Sequence, residues 1–93
     1  MTNTNRVLFP LGRIHIADEA FAALHEAHQS LIDLLIRHQS GDWGDVNDEA
    51  RAWNERALLT EAQHLRSVYR LTSGKLLKII TDEARSSTSV TRM

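Results

Sequence analysis

His25 and His28 stand three residues apart, a spacing that sets two imidazoles on one face of a helix, with His38 ten residues further on. A helical zinc site of the His-Glu-x-x-His kind needs one more residue between its imidazoles than His25-Glu26-Ala27-His28 supplies. Solvated or core-edge histidines are therefore expected, and no metal is assigned. Asp42, Asp45 and Asp48 recur every three residues with Glu49 adjacent. A calcium loop places its oxygen ligands at alternate positions with a distant glutamate, so these acids fit better as caps of a turn and of the next helix. Ser86, Ser87, Thr88 and Ser89 supply hydroxyls without the glycines of a nucleophile elbow, and nothing marks His64 as their base. The four glycines are too dispersed to cradle a phosphate. A hydrolase would have to rest on Ser87 and His64. The expectation is a protein that is not an enzyme, with no cofactor.

Two groups of side chains suit binding instead. The acidic set is Asp42, Asp45, Asp48, Glu49 and Glu55, with Trp43 between two glycines in Gly41-Asp42-Trp43-Gly44-Asp45. A tryptophan there either folds back as a lid on the core or stands out as a partner anchor, and the lid accounts for more tryptophans. The basic set is Arg66, Arg70, Lys75, Lys78 and Arg85. Arg66 and Arg70 share one face of a strand by parity and could meet phosphates. Tyr69 lies on the opposite parity, so that face lacks the aromatic platform of sheet-based RNA readers.

The elements that must position these groups follow from period and punctuation. Gly12-Arg13-Ile14-His15-Ile16 alternates after the single proline, Pro10, and reads as a short strand. From Asp18 the period changes. Phe21, Leu24, Ala27/His28, Leu31 and Leu34/Leu35 form a helical stripe, and Ser30-Leu31-Ile32-Asp33 resembles a capping box that divides it into helices over about 18–28 and 31–39. Gly41 to Asp45 stops the second helix. Asn47 serves as N-cap for a third, with Val46, Ala50, Trp53 and Ala57 in its stripe, ending near Leu59; Trp53 is expected in the core. Segments 65–71 and 76–81 flank the turn Thr72-Ser73-Gly74-Lys75, and 86–91 is a third β-prone run. The order β-α-α-α-β-β-β predicts an α+β domain, three helices packed on one face of a small antiparallel sheet.

Length and composition bound the rest. With 93 residues the chain suits one domain, and 42% hydrophobic residues suffice for a core. Residues 1–5 are expected to be a flexible N-terminus, 17–62 a helical acidic part and 64–91 an antiparallel basic sheet. The absence of cysteine excludes disulfide frameworks and Cys-based zinc or iron–sulfur sites. No apolar run approaches the roughly 18 residues of a membrane span, and Met1 to Arg6 lacks a signal-peptide core, so a cytoplasmic protein is expected. The net charge of -1 conceals a split. Arg6 and Arg13 stand unopposed before residue 17. Acids dominate 17–63, and six cations outnumber Asp82 and Glu83 thereafter. A strand apolar on both sides and a Ser/Thr/Val edge at 86–91 suggest an isologous homodimer.

The blocks Arg37-His38-Gln39-Ser40-Gly41-Asp42-Trp43-Gly44-Asp45, Asn54-x-x-Ala57-Leu58, Ser67-x-Tyr69 and Ile80-Thr81-x-x-x-Arg85-Ser86-x-Thr88-x-Val90 resemble a family of small plasmid-related proteins. That family is carried on bacterial integrative and conjugative elements and phages. The resemblance runs from about Gly12 to Val90. Ala17-Asp18-Glu19 stands where relatives have Thr-Pro-Gly, Ala84 where they often have an acid, and Met93 where they continue into an apolar, acidic tail. It implies a mobile-element setting, where proteins of this size commonly counter host defences. The expected function is stoichiometric protein–protein binding, with the acidic set facing a CRISPR or restriction complex. The alternative is a nucleic-acid-binding accessory protein that uses the basic hairpin.

Overall fold

A computed structural model describes residues 6–61 and 63–93; residues 1–5, expected to be flexible, lie outside the described residues. The chain forms β1 (Arg13–Ile16), α1 (Asp18–Ala27), α2 (Leu31–Gln39), α3 (Asp48–Thr60), β2 (Leu65–Arg70), β3 (Leu76–Thr81) and β4 (Ser87–Arg92). This is the α+β order that period and punctuation predict. Asp18 and Glu19 place negative charge in the first turn of α1, where free N–H groups favour it. The helix stops where His28 turns left-handed, at φ 56°, so α1 and α2 are separate. Ser30 does precede α2, but its hydroxyl makes no capping bond. Asn47 caps α3 as expected, its Oδ1 accepting from the Ala50 N–H at 2.8 Å.

The strands form one four-stranded sheet in the order β1-β4-β3-β2. The turn at Thr72 to Lys75 joins β2 and β3 as an antiparallel hairpin, and β4 extends the meander. One expectation needs correction, because β1 lies parallel to β4 and the sheet is mixed. A parallel partner needs a long crossover, and the three intervening helices provide it. β4 is interior, so the Ser/Thr/Val edge expected there does not exist, and the sheet ends at β1 and β2.

Side-chain alternation divides the sheet into two unlike faces. One carries Leu65, Ser67, Tyr69, Leu77, Ile79, Thr81, Thr88 and Val90, all buried. α1 and α2 cover this face with Ala20, Ala23, Leu24, Ala27, Leu34 and Leu35. α3 lies against β2, where Ala57 joins Phe9, Trp43 and Leu65 in a second cluster. Trp53 is not in either cluster. It is half-buried, and its indole N–H donates to the His64 carbonyl at 3.0 Å. The buried positions of α3 are Asn54 and Ala57.

The β2 edge is closed in two ways. The Val68 N–H donates to Trp43 O at 3.0 Å and the Asp45 N–H to Val68 O at 2.6 Å, a single bridge centred on Gly44. Gly44 has φ 75°, and a Cβ there would stand 2.1 Å from Val68 O, so only glycine permits the approach. One step along the strand, the Asn54 amide takes the place of a neighbouring strand. Its Nδ2 donates to Arg66 O at 2.7 Å, and its Oδ1 accepts from the Arg66 N–H at 3.1 Å. No helix among the described residues is long and apolar enough to cross a membrane.

Candidate functional site

The conspicuous polar cluster is internal. His38 follows Leu31 and Leu34/Leu35 on the apolar stripe of α2 and is fully buried between helix and sheet. Its Nδ1 lies 2.6 Å from Ser67 Oγ and its Nε2 2.9 Å from Thr81 Oγ1. Thr81 Oγ1 lies 2.7 Å from Thr88 Oγ1, and the Thr88 hydroxyl donates to Leu11 O at 2.7 Å.

These contacts fix every proton. A carbonyl only accepts, so Thr88 spends its proton on Leu11, and Thr81 must donate to Thr88. His38 must then donate from Nε2 to Thr81 and accept from Ser67 at Nδ1. The imidazole is neutral, with its proton on Nε2. Burial pushes the His38 pKa down to about 3. Phe9 and Trp43 flank the ring edge-on, with centroids at 5.2 and 5.9 Å. Hydroxyls and an imidazole do converge, then, but inside the core.

The acidic set divides by burial and pairing. Trp43 is 3% exposed, stacked 18° from parallel with Phe9, so the lid reading holds and the anchor reading does not. Asp42 accepts from Arg37 Nε at 2.7 Å and Nη2 at 3.2 Å, which holds its carboxyl below the ordinary range. Arg37 also lies over the Tyr69 ring, 4.5 Å from its centroid. The Tyr69 hydroxyl donates to Asp42 O at 2.5 Å, and burial raises its pKa. Asp45 pairs with Arg70 at 3.3 Å. Asp48, Glu49 and Glu55 are exposed on α3, interleaved with Arg51 and Arg56.

The basic set divides as well. Arg85 is structural. Left-handed at φ 57°, it donates from Nη1 to Gln63 O at 2.6 Å and from Nη2 to Ala57 O at 3.0 Å, tying the end of α3 to the β3–β4 turn. Lys75 pairs with Glu26 at 2.5 Å. Ser86 and Ser87 both donate to Asp82, whose carboxyl is drawn down to about 2, chiefly by the Ser86 hydroxyl.

Arg66, Arg70 and Lys78 remain, and they share a face. The register aligns Arg70 with Leu76, Val68 with Lys78 and Thr91, and Arg66 with Ile80, Ser89 and His15, with Arg13 beside Ser87. This is the face that α1 and α2 leave bare. Asp45 and Asp82 sit at its margins. On its β2 side an open cleft of about 540 Å³ runs between Arg66, Val68, Arg70 and Leu76 and the start of α3 at Asn47 and Ala50. Arg66 Nε is buried in the cleft wall with no acceptor among the described residues. A guanidinium N–H in that position is met by water in the open cleft or by the oxygen of a partner.

Two residues that matter here, His38 and Asn54, escaped sequence reasoning as site residues, whereas Arg66 stood in the basic set from the start. His38 and Asn54 each continued an apolar stripe at helical spacing, and that was their signal. Arg66 Nε left none, since its isolation depends on how α3 flanks β2. Among the described residues, no group of three or more His, Asp or Glu could hold a metal ion, and His25 and His28 are exposed singly. Comparison with known proteins finds no matching family model, no matching curated protein and no matching solved structure.

Proposed function

We propose that this chain is a non-enzymatic binding module that docks an acidic protein surface onto the bare face of its sheet. The observation that carries the reading is the unpartnered Arg66 Nε in the cleft wall. Lys78 stands on the same face, as does Arg70 in its exposed pair with Asp45, and the half-buried Leu76 and Ile80 lie near them beside the buried Val68. Arginine interleaved with apolar side chains suits a protein interface, where a carboxylate meets the guanidinium as neighbouring apolar contacts exclude water. The acidic set, with Asp42 and Asp45 already paired, has less to offer a partner. In the mobile-element setting that the resemblance implies, the partner belongs to a host defence complex of the CRISPR or restriction type.

The test compares two charge reversals in capture from a bacterial host lysate, followed by affinity measurement on the retained protein. Arg66→Glu combined with Lys78→Glu should weaken binding about 30-fold or more, the cost of stranding a desolvated charge pair. Asp48→Lys combined with Glu49→Lys should leave it nearly unchanged. The reverse ordering overturns the reading. Retention of nuclease-sensitive nucleic acid, with a gel shift that weakens steeply in salt, would move the same face to the nucleic-acid alternative.

A further inference from the structure

We infer that the chain self-associates through β1, Arg13–Ile16 pairing antiparallel with the same segment of a second copy about a two-fold axis at His15. The two edges of the sheet are treated differently by the fold. At β2 the outward backbone groups of Arg66 and Val68 are taken by Asn54 and by the Trp43–Asp45 bridge. At β1 the N–H groups of Arg13 and Ala17 donate inward, to Ser86 O and Val90 O, each at 2.9 Å. Backbone groups alternate along a strand, so those of Ile14 and Ile16 face outward from the sheet. Their side chains lie on the core face, level with Thr88 and Val90, yet stay 41% and 39% exposed. This is an edge with its hydrogen bonds and its apolar cover both incomplete.

A second copy completes both. Pairing Ile14 with the other copy's Ile16, and the reverse, employs every outward N–H and C=O of the two residues. It sets the isoleucines side by side across the junction, on the side of the sheet that carries the helices. Charge and symmetry select the direction. Antiparallel pairing places Arg13 opposite the other copy's Ala17, next to Asp18 and Glu19, whereas parallel pairing must slip by an odd number of residues to bond Ile14 and Ile16 and cannot be two-fold symmetric. Arg13, Asp18 and Glu19 are exposed, and the ion pairs among the described residues involve other side chains. The two-fold axis stands perpendicular to the joined sheet, so the bare cationic faces of both copies point the same way.

The chain has no cysteine, which makes a single-cysteine experiment clean. His15 falls opposite its own copy at a non-hydrogen-bonded position, where Cα atoms stand about 4.5 Å apart and a disulfide fits. His15→Cys under mild oxidation should give a covalent dimer, while Arg13→Cys and Lys78→Cys should give far less. Light scattering on the unmodified chain should show the mass rising from 10.6 kDa toward twice that value with concentration. Ile14→Pro removes an outward N–H and the isoleucine side chain at the junction, leaves the bonds to β4 intact, and should hold the mass at the monomer value with an unchanged circular dichroism spectrum. A concentration-independent monomer, or cross-linking at Lys78→Cys equal to that at His15→Cys, overturns the inference. Neither outcome bears on the Arg66 and Lys78 reversals, so the two proposals fail separately.

Discussion

Lowering the pH from 7 to 4 will destabilise this fold by about 3 kcal/mol through one side chain, His38. The imidazole is held neutral, its Nε2–H on Thr81 and its Nδ1 accepting from Ser67, and burial takes its pKa down to about 3. In the unfolded chain it ionises near its ordinary value of 6.5. Below that value the unfolded state binds a proton that the folded state refuses. Stability is therefore complete above about pH 6.5 and declines as the pH falls toward 3, by about 1.4 kcal/mol per unit. Urea unfolding at pH 7, 5.5 and 4 reads the slope, and the His38 ring resonances should not titrate above pH 4. A ring that titrates near 6.5 in the folded protein would refute the proton assignment. His38→Leu should flatten the pH dependence while costing about 2–4 kcal/mol at pH 7, because Ser67 and Thr81 lose their partner.

Replacing Asn54 with alanine will cost about 3 kcal/mol. The side chain is 1% exposed and completes both backbone bonds of Arg66. Removing it loses two hydrogen bonds and leaves a buried N–H and a buried C=O unsatisfied, which is where the larger part of the cost arises. Asn54→Asp should fare no better, since the carboxylate can accept from the Arg66 N–H but cannot donate to its carbonyl. Chemical denaturation measures the loss. Hydrogen exchange at the Arg66 amide should accelerate in the same variant, and aggregation should rise as the β2 edge opens. A loss below about 0.5 kcal/mol would show that the amide does not close the edge.

Much of the fold was legible because it is local. The stripes of α1 and α2, the Asn47 cap and the turn at Thr72 to Lys75 are each written in about a dozen consecutive residues. Strand partnership is not. Nothing in Gly12 to Ile16 names β4 as its neighbour, and the parallel pairing emerges only when three helices carry the chain across. The site was harder still. Asp45, Lys75 and Arg85 looked like free charges because their partners, Arg70, Glu26 and the end of α3, stand apart in sequence and meet them only after packing; Arg37, five residues from Asp42, was local and could have been read. The Arg66 and Arg70 parity was readable in advance; which face the helices would cover was not.

The most direct test of the account follows the Arg66 Nε–H itself. With the isotopically labelled chain and the partner retained in the capture experiment, its resonance should shift and its exchange with water should slow, together with changes at the methyl groups of Val68, Leu76 and Ile80. The amides of Asp48, Glu49 and Glu55 should stay in place. Perturbation confined to α3, with the Arg66 side chain silent, would contradict the claim that the bare face of the sheet is where this protein binds.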